Sequence, residues 1–175
     1  MKRHGNLWPQ VTSKENLELA HKKARRGKSR MYNVQRFEAN REANLERIRR
    51  ALVDKTFTTS PYQEKRIFEP KERTIYVLPF APDRIVQHAL MNVLEPIWEG
   101  LFIHHSYACR PGKGQHAGSR VVSQLVRKHR YCLKCDISKF YPSVDHQILL
   151  EIIERKIKCP DTLWLLRDII NSMPG

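Results

Sequence analysis

Between Asp83 and about Trp98 the sequence "DRIVQHALMNVLEPIW" returns apolar residues at helical spacing, and Ile85, Val86, Ala89, Leu90, Val93, Leu94 and Ile97 form one broad face. A face that wide must be covered from more than one side, so this segment is expected to be the most buried helix of the chain. Pro96 shortens or kinks its C-terminal end, because proline lacks the amide that the helix needs there. A chain of 175 residues with 41% hydrophobic content can supply the cover. At that length folding buries roughly 70% of the unfolded surface, enough for one real core.

Other helices are expected around it. The run "TSKE" at 12–15 fits a capping box, with Thr12 as N-cap and Glu15 three residues on, opening a short basic helix that ends near Gly27. A second helix, from about Asn33 to Asp54, places Val34, Phe37, Leu45, Ile48 and Leu52 on one face and Arg36, Arg47, Arg49 and Arg50 elsewhere. Those arginines suit either a solvated back or contact with RNA. "YQEKRIFEP" and "RTIYVLP" flank Pro70, Lys71 and Glu72, which predicts a hairpin over about 62–78 with basic residues near its tip. A further helix is expected over about 115–129.

Charge narrows the partners. The formal net charge is +14, and residues 1–50 carry 14 Lys and Arg against 5 Asp and Glu, a net +9. Such a field attracts polyanions and makes binding salt-dependent. No run approaches the ~18 apolar residues of a membrane span and the first residues lack an apolar signal core, so a soluble, cytoplasmic protein is expected. Of the four cysteines, Cys132 and Cys135 form one C-x-x-C. In a strand that spacing turns the two thiols to opposite faces, so reduced thiols within the core are expected in place of zinc ligands.

The loop "SYACRPGKGQH" at 106–116 feeds a helix through Gly112 and Gly114, with Arg110 and Lys113 adding charge. It could present amides to an anion. It lacks the Lys-Ser/Thr end of a Walker A loop. Next, "YCLKCD" at 131–136 reads as a short buried strand, with Asp136 at its C-terminal edge. Asp145 and Asp161 are each expected to start a helix. Asp136 has no such task, and a strand-end carboxylate in a basic protein suits Mg²⁺, which takes one or two carboxylates together with substrate phosphates.

At this point the residues resemble a family. "DISKFYPSVDH" resembles motif A of reverse transcriptases. "LPFAPDRIVQHALMNVLEPIWE" followed by "FIHHSYACRPGKGQHA" resembles the two fingers blocks that precede it in bacterial enzymes of the group II intron and retroelement type. The run from about residue 65 to 155 matches in order and spacing. "SYACRPGKG" and "NLELAHKKARRGK" look closer to diversity-generating retroelements than to intron maturases. The resemblance implies an α+β fold, predominantly helical here, with fingers over 1–130 and the start of the palm, carrying motif A, over 131–175.

It also implies site residues. Asp136 would be the first catalytic metal ligand, joined by the backbone carbonyl of Ile137. Tyr141 would be the aromatic gate against a 2′-hydroxyl, so deoxynucleoside triphosphates would be the substrates. Arg73 and Lys71 would hold the triphosphate, and Arg84, Arg110 and Lys113 would serve nucleic-acid binding. The expected partners are an RNA template, a DNA primer and a retroelement accessory protein, with self-association through the exposed palm strand. The Tyr-x-Asp-Asp turn and thumb of the family do not occur within these residues, so the two-metal Mg²⁺ site would be completed elsewhere and the fragment would be inactive alone. Two other readings compete: a noncatalytic basic RNA-binding module, and a metal-dependent nuclease using Asp136 with Asp145 or His146.

Overall fold

The computed structural model describes residues 2–173, which form a predominantly helical α+β fold of two packing units. The first unit comprises the chain up to Leu94 together with the segment from Val144 onward, and the second runs from Glu95 to Ser143.

The first unit contains the core. A short helix α1 (Trp8–Val11) leads into α2 (Lys14–Arg25), followed by α3 (Tyr32–Glu38) and α4 (Arg41–Val53). Helix α2 buries Leu17, Ala20, His21 and Ala24, a stripe at i, i+3, i+4 and i+7, and packs on α4, which buries Leu45, Ile48 and Leu52. Two-stranded pairing follows, β1 (Gln63–Ile67) antiparallel to β2 (Arg73–Val77), with Gln63 opposite Val77 and Ile67 opposite Arg73. This is the expected hairpin. Helix α5 (Ile85–Glu99) inserts Ile85, Val86, Ala89, Leu90 and Leu94 into the core, as its broad face requires. From the later part of the chain, α7 (His146–Glu154) packs on α8 (Pro160–Asn171), which buries Thr162, Leu163, Leu165 and Leu166.

The N-terminal segment is tied to that later part by main-chain bonds. The amide of His4 donates to Lys156 O at 2.7 Å and that of Lys158 to His4 O at 2.8 Å. Trp8 meets Trp164 edge-on at 5.9 Å, and the Lys55 ammonium lies 5.1 Å from both rings while pairing with Asp161.

Several boundaries differ from the sequence reading. Thr12 is not the N-cap of α2. It ends α1, where its hydroxyl donates to Trp8 O at 3.0 Å, and Ser13 accepts from the amide of Asn16 instead. The helix expected from Asn33 to Asp54 is broken at Ala39–Asn40, where the Asn44 side chain donates to Phe37 O at 3.0 Å and so takes over a carbonyl at the end of α3. The break lets α3 turn Phe37 against the His21 ring at 5.3 Å and Phe80 at 5.7 Å. Cys159, not Asp161, is the N-cap residue of α8. Of the thiols, Cys159 alone is buried, while Cys109, Cys132 and Cys135 are exposed.

Two carboxylates secure the segment between α4 and the hairpin. Asp83, only 1% exposed, accepts from the amide and the hydroxyl of Ser60, both at 2.8 Å. Asp168 on α8 does the same for Thr59, at 2.9 and 2.6 Å. Residues 59 and 60 belong to no strand, so without these acceptors their buried donors would lose hydrogen bonds that water cannot replace.

The second unit carries the end of α5 and helix α6 (Gln115–Lys128). No residue of α6 is buried, and Val122, Leu125 and Val126 are exposed.

Two stability predictions follow. Asp83→Ala leaves both Ser60 donors unpaired and is expected to cost about 2–4 kcal/mol in urea unfolding; a change under ~1 kcal/mol would remove the clamp from the account. His21 is held below its ordinary value chiefly by burial, which outweighs the nearby Glu38 carboxylate, and the Arg25 and Arg41 cations lower it further. Its Nε2 lies 2.9 Å from Glu38 Oε1 without aligned hydrogen-bond geometry. The unfolded chain therefore binds this proton more readily than the folded one. Stability should be full above the ordinary histidine value of 6.5 and fall as pH drops below it toward the lowered folded value. Thermal midpoints measured between pH 7.5 and 5 should show this slope, reduced in His21→Phe.

Candidate functional site

The segment carrying Asp136 is not a strand. Residues 131–137 make no ladder, and Tyr131 and Leu133 are 84% and 87% exposed. The expected buried strand fails because a strand exists only as one side of a pair, and among the described residues the paired strands are β1 and β2 alone. Asp136 is exposed, and its Oδ1 accepts from the next amide, Ile137 N, at 3.0 Å. That local bond ties the carboxylate to the amide of Ile137, the residue whose carbonyl is the other expected ligand.

A tight turn follows. Lys139 adopts a left-handed φ of 48°, and the Ser143 amide bonds to Lys139 O and Phe140 O, both at 3.1 Å. The Ser143 hydroxyl also donates to Phe140 O at 2.9 Å, closing a 3-10 turn over Tyr141–Ser143. Tyr141 stands at its start, 84% exposed, with Phe140 edge-on at 5.4 Å. Ordinary core packing does not account for this tyrosine. Past the turn Asp145 caps α7, its Oδ1 accepting from Ile148 N at 2.9 Å, as expected from sequence.

Asp136 differs in this from four of the other five aspartates; Asp54, at the end of α4, is likewise exposed and has no side-chain partner among the described residues. Asp83 and Asp168 clamp residues 59 and 60, Asp145 caps α7 and Asp161 pairs with Lys55. Asp136 contacts only its own neighbour. Its oxygen chemistry suits a hard cation, yet among the described residues no three His, Cys, Asp or Glu gather to hold a metal ion.

Arg110 and Lys113 are used within their loop. Arg110 donates Nε to Glu99 Oε1 at 2.7 Å, one terminal nitrogen to Ile103 O at 2.8 Å and Ser106 O at 3.1 Å, and the other to Glu99 O at 3.3 Å. Its guanidinium also lies 5.3 Å from the Phe102 ring. Lys113 donates to His104 O and sits 5.1 Å from the Tyr107 ring. Gly114, at a φ of 104° that a side chain would strain, bonds its amide to Tyr107 O at 2.9 Å and starts α6. The sequence reading assigned these two cations to nucleic acid; in the structure they also organise residues 99–114.

In the first unit, Arg73 opens β2 opposite Ile67 and Lys71 lies in the hairpin link, both exposed. Nearby, Arg66 reaches Glu72 at 3.7 Å. The arginines of α4 divide: Arg49 and Arg50 bond to Glu46, whose carboxyl is lowered to about 2, mainly by its hydrogen bond from Arg49. Arg84 ends the turn before α5, with a buried Nε that has no partner among the described residues. Sequence reasoning passed over two residues near it, Lys28 and His88. The signal for His88 was its place four residues after Arg84, on the polar edge of an otherwise apolar helix.

No protein-family model matches the chain. It is 31% identical over 120 residues to Protein YkfC of Escherichia coli, covering 64% of this chain and 32% of that protein. It is 26% identical over 119 residues to the group II intron-encoded protein LtrA of Lactococcus lactis, covering 67% and 20%. Nuclear intron maturase 1 of Arabidopsis thaliana is 28% identical over 102 residues, 58% of this chain and 14% of that protein. The chain is a homologue of group II intron-encoded proteins and intron maturases. This agrees with the resemblance drawn from residues 65–155 and supports a reverse-transcriptase-family origin. The chain spans a third or less of these relatives, 14% to 32% of their length. Among the described residues no helix is long and apolar enough to cross a membrane.

The Arg110 network generates a prediction. Arg110→Lys keeps the charge but loses the fork that serves four acceptors at once. Amide exchange across residues 103–107 is expected to quicken about tenfold, equivalent to one to two net hydrogen bonds. Unchanged protection would show that the loop holds itself.

Proposed function

We propose that this maturase homologue supplies the fingers and first part of the palm for RNA-directed DNA synthesis. Asp136 and the Ile137 carbonyl would hold Mg²⁺, with the remaining carboxylates coming from a palm turn outside these residues. The reading rests above all on Asp136: an exposed carboxylate, inside "DISKFYPSVDH", that the fold does not use. Bound Mg²⁺ would neutralise the triphosphate and favour in-line attack by a primer 3′-hydroxyl.

The other residues have separate tasks. Tyr141, exposed on its closed turn, presents a rigid wall where a ribose 2′-hydroxyl would clash, which selects deoxynucleoside triphosphates. Arg73 and Lys71 on the hairpin offer charge to the triphosphate. Arg84, Arg110 and Lys113 serve the RNA template or primer strand, the last two also shaping their own loop. The homologues' names support an intron RNA as partner, while "SYACRPGKG" and "NLELAHKKARRGK" support the diversity-generating branch, with its accessory protein. In either case the chain would act in the cytoplasm and would not polymerise by itself. Self-association was expected through a palm strand; the exposed apolar run at 131–137 is the surface that would take that part.

The noncatalytic RNA-binding module is the second reading, favoured by the net charge of +9 over residues 1–50. The nuclease reading is weaker, because Asp145 is engaged in capping α7 and His146 is the first residue of that helix.

Primer extension on an RNA template by the full-length protein separates these readings. Asp136→Ala should reduce extension at least about a hundredfold with RNA binding retained, as loss of a metal ligand requires. Tyr141→Ala should raise ribonucleotide incorporation relative to deoxynucleotide by about tenfold or more. Full activity in Asp136→Ala would leave the noncatalytic module as the function.

A further inference from the structure

Cations gather at the start of α5, where the adjacent carboxylate, Asp83, is engaged by both donors of Ser60. Arg84, His88 and Asn92 follow one another at intervals of four and so share a stripe of that helix. Asn92 fixes the stripe against α2: its Oδ1 accepts from Lys23 Nζ at 2.6 Å, and its Nδ2 donates to Asn16 Oδ1 at 2.9 Å. Asn16 in turn donates to Ala89 O at 2.9 Å. Beyond the end of α2, Lys28 lies within electrostatic reach of Arg84.

The groups are half-buried and mutually repulsive. Among the described residues Arg84 Nε is buried without any hydrogen-bond acceptor, a donor left waiting in a place where proteins rarely leave one. Burial, and then Arg84, Lys23 and Lys28 in that order, hold His88 below its ordinary value. Burial and then Arg84 do the same to Lys28. No carboxylate is among the charges acting on either residue. This contrasts with α4, where Glu46 neutralises Arg49 and Arg50.

We propose that Lys28, Arg84 and His88 form a binding site for a phosphodiester group of single-stranded RNA, and that His88 takes up a proton from solvent as the phosphate binds. The proposal rests on the reading of RNA as substrate and adds a specific contact to it. A tetrahedral oxyanion would accept from the orphaned Nε, reward the ammonium of Lys28 and replace repulsion at the imidazole by attraction. His88 would then titrate at higher pH in the complex than in the free protein. By linkage, affinity rises as pH falls through the interval between those two values, and is flat above and below it. Lys23, held by Asn92, sets the outer edge of the site.

Two measurements on this chain test the proposal. The His88 ring proton is followed by NMR from pH 5 to 8 with and without sulfate, a tetrahedral dianion that does not itself titrate in that range. In parallel, anisotropy of a labelled oligouridylate is measured at fixed ionic strength over the same pH values. Sulfate should raise the His88 midpoint. Oligouridylate affinity should strengthen by up to about tenfold for each unit of that rise. His88→Gln should abolish this component of the pH dependence, and Lys28→Gln, at a half-exposed site, should reduce the salt slope by about 0.7.

An unmoved His88 midpoint in sulfate overturns the anion site. Oligouridylate binding whose pH dependence survives in His88→Gln overturns the proton uptake while leaving the polymerase reading intact. Sulfate binding without oligouridylate binding overturns RNA as the ligand, and with it the RNA reading of the whole chain.

Discussion

The carboxylate of Asp83 stands where three demands meet. It sits in the wide turn that brings Phe80 into the core, it precedes the most apolar helix of the chain, and it accepts both donors of Ser60. Burying a charge of this kind is unfavourable unless its oxygens are satisfied, so the position of Ser60 is dictated by the position of α5. Asp168 repeats the arrangement on Thr59 from α8. Between them the two carboxylates replace a missing strand ladder and set where the chain leaves the core for the hairpin that carries Lys71 and Arg73.

Excess positive charge is managed in different ways along the chain. At Arg49 and Arg50 it is neutralised by Glu46 one turn earlier, and at Arg25 by Glu38 with His21 alongside. At Arg110 it is spent on loop carbonyls. Around Arg84, whose neighbour Asp83 is taken up by Ser60, the cations form no ion pair among the described residues. A protein stabilised by marginal differences tolerates such repulsion where a ligand relieves it, and the same local charge that lowers folding stability raises affinity for a polyanion.

Most of the helical organisation was legible in the sequence because it rests on short-range periodicity. The face of α5, the hairpin and the cap at Asp145 depend on residues within a few positions of one another. The expected strand at 131–136 failed for the opposite reason. Its short apolar-rich run described a segment able to pair, but pairing is a property of two segments, and nothing within six residues can supply the second. The shift of the cap from Thr12 to Ser13 has a similar origin, since the unanticipated α1 had already claimed the threonine hydroxyl.

By itself the sequence determined the helical class, the basic N-terminal field, and the peculiarity of Asp136 as a carboxylate without a capping role. These are carried by composition and by local patterns that any fold must respect. Tertiary structure decided which charges are free. Arg110 and Arg84 look alike in sequence, each an arginine before a helix, yet one is saturated by Glu99 and the carbonyls of its own loop while the other has a buried nitrogen with no acceptor. That difference comes from packing between segments far apart in the chain, and the strength of a charge depends on what surrounds it.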